Sequence, residues 1–142
     1  MTGDPHNLHR FLEAQDETGT YERAFAELRG GRKTSHWMWF VFPQLAGLGR
    51  SAMSRTYAIA SLAEAEAYLE HPILGPRLRE CAGALLGVSG KSAAEILGGI
   101  DALKLHSSMT LFFRAAPKEP RFRQVLDRYY DGELDEATER RL

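Results

Sequence analysis

Apolar positions recur along this chain at helical spacing, with short, well-marked breaks between the runs. Leu8, Phe11 and Leu12 follow the i, i+3, i+4 spacing of one helix face, and Asp4-Pro5 ahead of them is a helix start with proline in the first turn. Thr18-Gly19-Thr20 interrupts the run. Tyr21, Phe25 and Leu28 form the next stripe, closed by Gly30-Gly31. Ser51 or Ser54 opens a short helix through Ile59. Ser61 and Glu64 have the spacing of a capping box ahead of Leu62, Ala65, Tyr68 and Leu69. His71-Pro72 starts a helix carrying Leu74, Leu78, Cys81 and Leu85. Ser92 and Glu95 form a second capping box, whose short helix ends at Gly98-Gly99. Asp101 is expected to cap a helix from Ala102 to Ala115. Pro120 opens another to Tyr130, stopped by Gly132, and Asp135 caps a last one ending at Leu142. Only Trp37–Phe42 has strand-like residue types. A lone strand has no ladder partner, so this segment is predicted as a short helix or a buried extended stretch, and Pro43 ends any helix there by Val41. The predicted fold is all-α: one compact domain over residues 1–142 with about seven helices.

Composition narrows the classes. With 142 residues, the chain is long enough to bury roughly two thirds of its unfolded surface. The formal net charge of −1 argues against a general nucleic-acid binder. One cysteine, Cys81, excludes an internal disulfide and fits a cytoplasmic protein; on its apolar stripe it is expected to be a core residue. No apolar run is long enough for a membrane span. No nucleotide-loop, nucleophile-elbow or metal-ligand spacing occurs, so no cofactor and no metal are implied.

Two segments carry candidate chemistry. The first is His36-Trp37-Met38-Trp39-Phe40-Val41-Phe42-Pro43-Gln44, which holds both tryptophans and follows Arg29, Arg32 and Lys33. Lys33, His36 and Gln44 would rim an aromatic pocket, with Trp37 or Trp39 as a stacking face for a planar ring. The alternative is that these aromatics are core. The second is Ala102–Phe113, apolar all round its helical wheel yet carrying Lys104, Ser107, Ser108 and Thr110. A helix of that kind is buried, and lysine is almost never buried unpaired. Asp101, Lys104 and Ser108 fall within about a 60° sector. They form either a polar strip facing a ligand, with Lys104 as an anion anchor, or an Asp101–Lys104 pair with the hydroxyls bonded back to carbonyls one turn earlier.

The chain resembles the domain-of-unknown-function 1810 family, some of whose members carry a calpastatin label. The likeness lies in Phe11-x-x-Ala14-Gln15, in Gly31-x-Lys33-x-x-His36-Trp37-Met38-Trp39-Phe40-x-Phe42-Pro43-Gln44, in Gly47-Leu48-Gly49-x-Ser51 and in Tyr57-Ala58-Ile59. It continues through His71-Pro72-x-Leu74-Gly75-x-Arg77-Leu78, Asp101-x-x-Lys104-x-x-Ser107-Ser108-Met109-Thr110-Leu111-Phe112 and Phe122-x-x-Val125-Leu126. The resemblance implies an all-helical, cytosolic protein and leaves the activity open. It does not imply calpain inhibition, because such inhibitors are disordered and this chain has a full complement of core residues. A fainter likeness, in size and helical make-up, is to helical proteins that cleave N-glycosidic bonds in ADP-ribose or riboflavin-pathway compounds.

The reading that follows is a small phosphorylated or nucleotide-like ligand bound, or hydrolysed, between two walls. Lys33, His36 and Gln44 form one and Asp101, Lys104, Ser107 and Ser108 the other, with Trp37 and Trp39 stacking on the ligand. In a hydrolase, Asp101 would act as acid, base or cation stabiliser, with His36 the other proton carrier. The alternative is a non-enzymatic interaction module that docks a protein partner through an exposed aromatic block.

Overall fold

The computed structural model describes residues 3–142. Its α-helices in chain order are α1 (His9–Asp16), α2 (Thr20–Arg29), α3 (Met38–Val41), α4 (Ala52–Thr56), α5 (Leu62–Glu70), α6 (Leu74–Leu86), α7 (Ala93–Leu97), α8 (Gly99–Ala115), α9 (Pro120–Tyr130) and α10 (Glu136–Arg141). No strand occurs among the described residues, and a single parallel bridge joins Leu45 to Ile59. The all-α expectation holds, with more segments than the seven anticipated. The one-turn pieces α3 and α4 raise the count, the first in the segment expected as a short helix or extended stretch and the second in the one expected as a short helix.

Helix starts follow local chemistry closely. The Ser92–Glu95 capping box is complete on α7, Ser51 caps α4, Pro120 stands in the first turn of α9 and Asp135 caps α10. Four expectations need correction. Asp4 lies outside α1, which begins one turn later; its carboxylate still caps that helix, accepting hydrogen bonds from the Leu8 and His9 amides at 2.8 and 2.9 Å. Ser61 caps α5, but Glu64 reaches past it to the Ala60 amide (3.0 Å) and to Arg10 (2.8 Å), so the box is half formed. The helix α4 stops at Thr56, and Ile59 instead pairs its backbone with the 44–46 segment. Asp101 is not a cap: α8 starts at Gly99, leaving Asp101 in its first turn, where a carboxylate still favours the helix dipole.

The helix α8 runs through the middle of the molecule, packed against α5, α7, α9 and α10. Its residues Leu105, Met109, Leu111 and Phe112 have no exposed surface. A second layer places α6 against α2, α5 and α9, while α1 packs on α2 and α3. Buried Gln15 fastens α3 to this core: its amide donates to the Phe40 carbonyl (2.8 Å) and the Tyr68 hydroxyl (3.2 Å), and its carbonyl accepts from Arg77 (3.2 Å). Cys81 is likewise core, and burial pushes its thiol up to about 12, so it is no nucleophile. No described helix is long and apolar enough to cross a membrane.

Candidate functional site

The loop leaving α2 is shaped by one carboxylate. Glu27 accepts from the amides of Thr34 (2.8 Å) and Ser35 (3.1 Å), from the Ser35 hydroxyl (2.6 Å) and from the Trp37 indole (2.9 Å). Burial pushes this carboxyl up, but those four hydrogen bonds outweigh it and bring it down to about 2. The Lys33 amide donates to the Ile96 carbonyl at 2.8 Å, fixing the same loop to α7. Lys33 is thereby aimed at the start of α8.

There the aromatic segment and the α8 segment meet. The Lys33 ammonium lies 3.0 Å from Asp101 Oδ2 and 5.1 Å from the centre of the Trp37 ring. Lys104, one turn along α8, is 3.7 Å from Asp101 Oδ1 and 5.0 Å from the centre of the Trp39 ring. Each cation thus shares one carboxylate and covers one indole, an arrangement that strengthens as water is excluded. The side chains of Lys33 and Lys104 are 9% and 20% exposed. Two ammonium groups against one carboxylate leave an excess positive charge at this seam.

The other predicted residues divide. Trp37 is fully buried with its N–H committed to Glu27, so it has no face on which a ligand could stack. Ser107 turns toward α10, bonding to the Leu103 carbonyl (3.2 Å) and to Asp135 Oδ2 (3.1 Å), and is structural rather than part of the seam. His36 is exposed and, like the Gln44 side chain, makes no side-chain hydrogen bond or ion pair with the described residues. The aromatic block as a protein-docking patch is corrected too. Trp37, Met38, Phe40, Val41 and Phe42 are all at most 7% exposed, because α3 is folded into the core. Back-bonding to the preceding turn holds for Ser107 and also for Thr110, whose hydroxyl donates to the His106 carbonyl at 2.8 Å.

Ser108 departs from that pattern. Its hydroxyl is buried without a partner, and so is the Trp39 indole N–H; among the described residues these are the two buried side-chain polar atoms left unpaired. Both adjoin Lys104: Trp39 lies under its ammonium, and Ser108 follows it one turn along the same helix edge. Glu27 and Gln15, which hold the segment from Thr34 to Phe40 in place, were missed from sequence. An indole N–H announces that it needs an acceptor, but nothing local says which acid supplies it.

Comparison with known proteins adds a family and no activity. The chain is 52% identical to the conserved hypothetical protein Rv1873 from Mycobacterium tuberculosis, known from a crystal structure at 1.38 Å; the match covers 98% of both chains with a TM-score of 0.95. No curated protein matches. The family described as "Protein of unknown function (DUF1810)" matches residues 5–142, almost the whole length, and the chain therefore belongs to the DUF1810 family.

Proposed function

We propose that this protein binds a small ligand through an oxyanion, phosphate or carboxylate, at the seam between α3 and α8. The observation that carries this reading is the pair of unpaired buried donors, Trp39 Nε1 and Ser108 Oγ, beside Lys104. A buried donor without an acceptor costs about 1–3 kcal/mol, and native structures rarely leave one without a reason. Two such donors next to an ammonium group form a set that lacks only acceptor oxygens. Lys104 lies over the Trp39 ring and holds Asp101 at the longer of the two distances, 3.7 Å against 3.0 Å for Lys33. It is the group a ligand anion would draw away from Asp101, uncovering Trp39 and Ser108, while Lys33 keeps the carboxylate paired. Trp39, partly exposed, is the ring that remains for contact with a ligand body.

This is a binding reading. Both oxygens of Asp101 face ammonium groups, and His36 is exposed, so the contacts around Asp101 favour holding a charge over moving a proton. Thermal-shift profiles against phosphorylated and carboxylated metabolites provide the test. A ligand at about 100 times its Kd adds roughly 2.7 kcal/mol, a rise of several degrees for a domain of this size. The rise is expected to vanish in a folded Lys104→Met variant. An equal shift in that variant, or a flat panel, would overturn the proposal.

A further inference from the structure

On α8, a helix whose other large apolar residues are buried or half-buried, Ile100 and Leu103 are 74% and 69% exposed. Scattered exposed apolar residues are ordinary. These two differ because they stand at i, i+3 on one helix face, where Ile100 borders a hollow. That hollow has a volume of about 320 Å³ and is lined by Leu97, Gly98, Gly99, Ile100 and Asp101. A Cβ on Gly98 or Gly99 would meet nothing within 4 Å, so its floor is open backbone. Asp101 links the hollow to the cations, since its carboxylate is the group that both Lys33 and Lys104 contact.

We infer that the ligand is an amphipathic anion: an oxyanion held by Lys104 with a short aliphatic arm lying over Ile100 and Leu103. This rests on the anion-site reading above and names its substrate class. The apolar half follows from the two exposed side chains and the charged half from the excess cation beside them. The size follows from the hollow. Its volume lies at the small end of ligand pockets, and two side chains offer far less than the roughly 800 Å² per partner of a stable protein interface. A free short-chain phosphate or a lipid headgroup would present the same chemistry; the hollow favours the former.

The experiment is calorimetric titration of the protein with inorganic phosphate and with ethyl, butyl and hexyl phosphate. Full burial of a methylene brings about 0.8 kcal/mol, roughly fourfold in affinity. Partial burial on an open face is expected to strengthen binding about tenfold from ethyl to hexyl phosphate. An Ile100→Ser, Leu103→Ser double variant, checked for folding by circular dichroism, should bind inorganic phosphate unchanged and lose the chain-length dependence. A flat series with phosphate still binding would overturn this inference alone, as would a chain-length dependence that survives in the double variant. No binding of any member would remove the anion-site reading beneath it. Co-flotation with phosphatidic acid vesicles, abolished in the double variant and without any response to soluble chain length, would place the site on lipid and overturn the free-ligand assignment.

Discussion

Ser108 and Thr110 are neighbours on α8 with opposite hydrogen-bonding states, and they should respond oppositely to mutation. Thr110, fully buried, donates to the His106 carbonyl and accepts from the Asp135 amide, both at 2.8 Å. Thr110→Val leaves that amide without an acceptor and is expected to cost about 1–3 kcal/mol in denaturant unfolding. Ser108→Ala removes a hydroxyl that bonds to nothing, so stability should stay within about 0.5 kcal/mol of wild type or rise, while affinity for an oxyanion ligand falls. A clear loss of stability in Ser108→Ala would show that the hydroxyl is paired within the fold. Glu27 supplies a pH test. Its carboxyl stands at about 2 in the folded protein, below its ordinary 4.5, so its stabilisation is complete above about 4.5 and fades as pH falls toward 2. Glu27→Gln should therefore be less stable than wild type at neutral pH. The gap should narrow in acid, followed through the fluorescence of Trp37, whose indole N–H donates to Glu27.

At the scale of elements, two glycines of α6 make opposite predictions. A Cβ on Gly75 would fall 2.1 Å from the Leu69 carbonyl oxygen, inside the close approach of α5 to α6. Gly75→Ala must push those helices apart and should lower stability by several kcal/mol. Gly83 lies within the same helix, in its last turn, and a Cβ added there would have only the Arg121 side chain near it, at 4.0 Å. Glycine in a helix interior is less favourable than alanine by roughly 0.5–1 kcal/mol, so Gly83→Ala should raise stability by about that amount. Thermal melts of the two variants, moving in opposite directions, would separate packing from propensity within one helix. The caps were read well at this scale because a cap is local: Ser92, Ser51 and Asp135 each bond to an amide three residues on.

Across the whole molecule, α8 carries the layers that surround it. Phe112 has no exposed surface and touches the rings of Tyr68 on α5 and Phe122 on α9, with centroids 5.4 and 6.0 Å apart. Phe112→Ala should therefore cost about 3–5 kcal/mol. Because it sits where three helices meet, near- and far-ultraviolet circular dichroism should be lost together on denaturation rather than one helix at a time.

Helix class, most helix starts, the burial of α8 and the i, i+3 pairing of Asp101 with Lys104 were all legible in the order of residues. Each depends on neighbours within about two turns, where spacing alone determines which side chains meet. The convergence of Lys33 on Asp101, of Glu27 on Trp37 and of Gln15 on the Phe40 carbonyl was not legible. These contacts close loops of chain, and their partners are chosen by how the helices pack rather than by separation in sequence. The same packing sorted the candidate residues. It buried Trp37, turned Ser107 to α10, left His36 on the surface and put Trp39 beneath Lys104. Periodicity says that a side chain lies on an apolar face; only the neighbours brought there in three dimensions decide whether its polar atom finds a partner or is left, as in Ser108, without one.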